Sequence, residues 1–127
     1  MTPILRKATA EDIPAILDLI KELADYEKAP TEVTITKEEL LIDGFSNNPL
    51  FEVILAENDN EVLGMAFYFT SYSTWKGKCL FLEDIIVKCD HRREGIGKLL
   101  FEEVIRKSKE MKAKRLQWQV LDLSMPK

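Results

Sequence analysis

Between Leu80 and Leu100 the chain reads LFLEDIIVKCDHRREGIGKLL, and its chemistry-bearing residues crowd into this stretch. Two adjacent acids, Glu83 and Asp84, separate the apolar runs Leu80-Phe81-Leu82 and Ile85-Ile86-Val87. Carboxylates in that setting can attract a cationic substrate. They can also take a proton from an amine, directly or through a water. Side chains alternate along a strand, so only one of the two should face a cleft. After a polar turn, Lys88-Cys89-Asp90-His91, comes Arg92-Arg93-Glu94-Gly95-Ile96-Gly97-Lys98, and then the helical spacing of Leu99, Leu100 and Val104. Glycines let backbone approach an anion without a Cβ in the way. The first turn of a helix offers unpaired N–H groups and a partial positive charge, and the arginines add more. The expected unit is a buried strand, a glycine-bearing loop and a helix N-terminus, and the ligand it suits carries phosphate.

The elements that must position this stretch follow from pattern. Ile4 to Lys7 reads as a short strand. Thr9 with Asp12 is a weak capping box, and Ile13, Ile16, Leu17, Ile20, Leu23 and Ala24 trace the apolar face of a helix ending near Glu27. Thr36 with Glu39 is a full capping box, opening a second, short helix that Gly44 should terminate. Phe51 to Glu57 and Val62 to Thr70 read as strands joined by a hairpin turn at Asn58-Asp59-Asn60. Ser71 to Gly77 reads as a loop holding Tyr72 and Trp75. The helix after the glycine loop keeps its apolar face through Met111, with lysines toward its end as the dipole prefers. Arg115 to Leu121 is a last strand. The order β-α-α-β-β-β-α-β defines an α/β sheet of mixed direction, in which the last helix is a right-handed crossover between parallel strands.

At 127 residues the chain is read as one domain, 1–127. Hydrophobic residues make up 46% and charged residues 31%, ordinary for a globular chain. The formal net charge of -4 does not favour a nucleic-acid partner. No apolar run is long enough to span a bilayer, and the N-terminus has no signal-peptide pattern. Cys79 and Cys89 lack metal-ligand spacing, and His91 is the single histidine, so no metal is expected and the compartment is read as a reducing cytoplasm. His91 is taken as a turn residue, and Arg106 to Arg115 as a solvated helix face.

Arg92-x-x-Gly95-x-Gly97, between a strand and a helix, resembles the acetyl-CoA signature of the GNAT acetyltransferases. Leu23-Ala24-Asp25-Tyr26-Glu27, Asp43-Gly44-Phe45, Asn48-Pro49, Tyr72-Ser73-Thr74-Trp75-Lys76-Gly77 and Leu82-Glu83-Asp84 resemble its diamine branch, which holds the spermidine/spermine and thialysine acetyltransferases. The resemblance runs from Arg6 to Asp122. It implies a mixed, mostly antiparallel sheet flanked by helices, acetyl-CoA as cosubstrate without a metal, a small cationic amine as acceptor, and a homodimer. On this chain it implies that the backbone of Ile85, Ile86 and Val87 pairs with the pantetheine arm, as an added strand would. Arg92 supplies the motif's cation, and Arg93, Glu94, Gly95, Ile96, Gly97 and Lys98 form the pyrophosphate loop. Tyr26, Glu27, Trp75, Glu83, Gln117, Trp118 and Gln119 meet the substrate, and Glu83 or Asp84 is the catalytic base. Ser73 stands where the polyamine enzyme has an acid, which implies a lysine-like amine over a polyamine. The family continues with a helix and two further strands, and that helix carries a tyrosine that protonates the leaving thiolate. No residue of this sequence matches that tyrosine. The alternatives are a degenerate GNAT domain that binds CoA thioesters without efficient turnover, or an interaction module.

Overall fold

The computed structural model describes residues 2–118. Its elements are β1 (Ile4–Lys7), α1 (Ile13–Tyr26), α2 (Lys37–Phe45), β2 (Glu52–Asn58), β3 (Glu61–Ser73), β4 (Gly77–Val87), α3 (Ile96–Glu110) and β5 (Arg115–Trp118). The five strands lie side by side in chain order. The first three pairings are antiparallel and β4–β5 is parallel, with α3 as the crossover. Gln119 and the rest of the expected last strand, to Leu121, lie outside the described residues.

Strand alternation gives the sheet two apolar faces, and helices cover both. On one face α3 lays down Ile96, Leu100 and Val104, one turn apart, against Ile54, Ala66, Tyr68, Leu80, Leu82, Ile85 and Val87. On the other, Ile13, Ile16, Leu17 and Leu19 of α1 and Leu40 of α2 pack on Val53, Leu55, Met65 and Ile86. Burial of such side chains contributes about 1.5–3 kcal/mol each and fixes which face each strand residue must take.

The capping boxes form where the sequence places them. The Thr36 hydroxyl accepts the Glu39 amide at 3.1 Å, and Thr36 donates its own amide to Glu39 at 3.0 Å. Thr9 donates its amide to Asp12 at 2.7 Å, although this box opens a 3-10 turn and α1 proper begins at Ile13. Asp59 and Asn60 form the β2–β3 turn with φ of 52° and 65°, the left-handed pair that a two-residue hairpin requires.

Three expectations need correcting. Gly44 does not end α2, which runs on to Phe45. Its missing Cβ makes room for the Phe51 ring, whose Cζ would stand 2.2 Å from one. Ser71 to Ser73 belong to β3 and not to a loop, and Tyr72 pairs with Lys78. Ser73 Oγ accepts the amides of Trp75 and Lys76 at 3.2 and 3.0 Å, which closes the turn in three residues and lets the strands continue almost to the tip. The third concerns β4, where the register with β3 shifts so that Phe67 opposes Asp84 and Tyr68 opposes Leu82. Glu83 is therefore an unopposed extra residue, a β-bulge. The bulge re-phases the strand, so Leu80 and Leu82 share the α3 face with Ile85 and Val87.

Candidate active site

β4 is paired with β3 as far as Val87, which opposes Gly64. Toward β5 the pairing is described from Cys79–Arg115 to Leu82–Trp118, and Trp118 is the last described residue. A cavity of about 480 Å³ lies against the end of β4. Ile85 and Val87 form one wall. Arg92, Arg93, Gly95, Ile96, Gly97 and Lys98 form the end of it, and Phe101 and Trp118 the far side.

The loop at the end of this cavity has the conformation its glycines allow. Gly95 caps α3 at φ 82°, a left-handed geometry that favours glycine. The Leu99 amide makes the first intrahelical bond, to Gly95 O at 3.1 Å, and the amides before it belong to the unpaired first turn. Gly97 is not there to relieve crowding within the protein. A Cβ on it would meet only Val87 Cγ2 at 3.9 Å and Ile85 Cγ2 at 4.0 Å, both ordinary contacts with residues that line the cavity. The atom glycine omits would occupy ligand space, so the loop fits a phosphate-bearing cofactor approached by backbone.

The acids lie on the opposite face of the sheet. Asp84 opposes Phe67, which packs on the α1 and α2 cluster, and facing residues of an antiparallel pair point the same way. Burial, then the charges of Glu83 and Glu27, push the Asp84 carboxyl up to about 7. Glu83 itself is exposed on the bulge, and Glu27 is the half-buried C-cap of α1. The bulge is what seats Asp84 in this pocket of acids.

The other expected residues are placed as follows. Ile86 turns its side chain into the α1 cluster. The Glu94 carboxylate leaves the cavity and pairs with His91 Nδ1 at 3.2 Å. Tyr26 is half-exposed, its ring beneath the Arg92 guanidinium at 4.5 Å. Gln117 opposes Phe81 and takes the face shared with Asp84. Trp118 opposes Leu82, lines the cavity and meets Phe101 edge-on at 5.3 Å between ring centres. Trp75 is not brought to the cavity. It is 90% exposed at the β3–β4 tip, and Gly77 alone lies roughly 20 Å along the strand from Asp84. Ser73 sits in the same turn with its hydroxyl already engaged. Two cavity residues were not expected, His91 and Phe101. Phe101 follows Gly97 by four residues on one helix face, a spacing that the sequence does contain.

Comparison with known proteins identifies the family. A model of the acetyltransferase (GNAT) family matches residues 13–125, and the chain belongs to that family. It is 38% identical to the Bos taurus thialysine N-epsilon-acetyltransferase over 127 residues, covering 94% of this chain and 75% of that one. It is 43% identical over 100 residues to the Homo sapiens spermidine/spermine N(1)-acetyltransferase-like protein 1, covering 73% of this chain and 14% of that one. Among solved structures, the aminoglycoside acetyltransferase meta-AAC0020 from an uncultured soil metagenomic sample superposes with a TM-score of 0.78 at 18% identity, covering 94% and 78% of the two chains. That likeness is one of fold.

Proposed function

We propose that this acetyltransferase uses acetyl-CoA and acts on a primary amine of a small cationic substrate, a diamine, a polyamine or a thialysine-like amino acid. The observation that carries the reading is a pair of half-sites on the two faces of the sheet at the end of β4. A cavity ending at a glycine-bearing helix N-terminus lies on one face, and Glu27, Glu83 and Asp84 gather on the other. The thialysine and spermidine/spermine names of the relatives support the same substrate class.

Acetyl-CoA supplies an acyl thioester, an electrophile with a thiolate leaving group. The chain's residues do the rest. The amides of Gly95 to Lys98, with Arg92 and Arg93, hold phosphate. The edge of Asp84 to Val87 orients the arm. Glu27 and Glu83 attract the cationic amine, and Gln117 borders its path. Asp84 takes the ammonium proton, leaving a neutral nitrogen able to attack. A base near 7 suits that task, because about half of it is ionised at neutral pH and it still binds a proton firmly. Cytoplasmic location and a homodimer complete the reading. The two cysteines, both free, agree with a reducing compartment, and no helix among the described residues is long and apolar enough to cross a membrane.

The test is release of CoA thiol from acetyl-CoA with spermidine, putrescine, thialysine and lysine compared in parallel. Saturable, amine-dependent release with at least one of them is expected. Release that never depends on an amine would refute the function.

A further inference from the structure

The segment Lys88–Arg93, which joins β4 to the phosphate loop, is held from behind by α1. The Cys89 amide opens a short 3-10 turn, Cys89–His91, and donates to Glu22 Oε2 at 2.6 Å. One helical turn on, the Tyr26 ring lies 4.5 Å from the Arg92 guanidinium carbon, a cation–π distance. Arg92 Nε donates back to Val87 O at 3.3 Å, so the arginine is held on two sides. The segment's own ties are local. Lys88 donates its amide to Leu63 O at 2.8 Å and pairs with Glu61 at 3.4 Å, His91 N donates to Lys88 O at 2.9 Å, and His91 Nδ1 pairs with Glu94 at 3.2 Å. The bond from Arg92 N to Cys89 O is long at 3.4 Å, and Arg93 takes a left-handed φ of 68°. Burial works against ionisation of Glu22, but the thiol and amide of Cys89, with Arg92 and Lys88 nearby, hold its carboxyl below the usual range. It is a charged acceptor at neutral pH. Neither Glu22 nor Tyr26 lines the cavity.

We propose that Glu22 and Tyr26, four residues apart on one face of α1, are positioning residues that hold the Cys89–Arg93 segment, and through it the anion-binding loop, in its binding geometry. The inference rests on the reading of the cavity as a CoA site, and it gives Tyr26 a role other than meeting the amine. The consequence is a mechanical link. The helix that clasps the phosphate loop ends in Glu27, beside Asp84. One rigid element therefore sets the distance between the cofactor loop and the acids.

Two readouts test it, hydrogen exchange of the unliganded protein and CoA calorimetry without amine. Glu22→Ala should speed exchange across Cys89–Arg93 tenfold or more while leaving β2 and β3 unchanged, and should weaken CoA about tenfold. Glu22→Gln keeps an acceptor oxygen and should recover most of both. Tyr26→Leu should weaken CoA comparably. Combined with Arg92→Met, it should add less than the product of the two single losses, because Tyr26 acts through Arg92. If exchange and affinity are unchanged in Glu22→Ala and Tyr26→Leu, or if the Tyr26 and Arg92 losses multiply fully, the clasp is refuted. Should Glu22→Ala fail to fold, the Tyr26–Arg92 cycle alone decides. A wild-type chain that binds no CoA would instead overturn the cofactor reading, and the exchange data would still decide the clasp.

Discussion

Gly97 and Asp84 carry the account at the scale of single residues. Gly97 has room for a side chain as far as the protein is concerned, so Gly97→Asp should fold, yet it would put a carboxylate where the proposed cofactor's pyrophosphate would sit. CoA affinity by calorimetry should fall tenfold or more, with little change in melting temperature. Asp84 makes a prediction about stability. Its folded-state carboxyl titrates near 7, whereas an unfolded aspartate titrates near ~3.9. Between those values the folded chain holds more protons than the unfolded one, so this residue's contribution to stability falls as pH rises from about 4 to about 7. Denaturant curves should show Asp84→Asn gaining on wild type across that window, by on the order of 4 kcal/mol at pH 8. A difference independent of pH would mean Asp84 is not held in the protonated form. The sequence made both residues visible, through the glycine spacing and the paired acids. It could not choose between Glu83 and Asp84, because alternation fails at a bulge and nothing in the residues themselves announces one.

Elements were legible where the signal was local. The capping boxes, the Asp59-Asn60 turn and the i, i+4 stripe of α3 each depend on neighbours a few residues apart, and each formed. Gly44 misled for the opposite reason. Its role is set by Phe51, an aromatic brought onto the helix by tertiary packing, and the pair of phenylalanines stacked there, Phe51 on Phe67 at 4.3 Å, leaves the ring no retreat. Alanine normally favours a helix interior over glycine, but here overpacking should dominate. Gly44→Ala is expected to destabilise by about 1–3 kcal/mol, read from chemical denaturation. An alanine variant as stable as wild type would show that α2 can shift away from the ring. The hairpin tip was misplaced because the Ser73 turn is closed by a side-chain hydroxyl, which shortened the loop and carried Trp75 away from the cavity.

At the scale of the whole molecule, β4 bears a cavity on its α3 face and the acids on the other, with helices against both faces of the sheet. Element order alone gave the layers. Among the described residues β5 is an edge strand, with Trp118 43% exposed, and such an edge favours pairing with another chain. Light scattering should therefore read twice the chain mass, and a monomer at micromolar concentration would contradict the proposed homodimer. The central claim is that Asp84 takes the proton from a cationic amine. The most direct measurement is the pH dependence of kcat/KM for the amine, in wild type and Asp84→Asn, followed by CoA thiol release. Wild type should show a rising limb with an apparent pKa near 7, as the free enzyme's base requires. The variant should lose that limb and fall about 10²–10⁴-fold, rising only with the substrate's own deprotonation. Superimposable profiles would contradict the account.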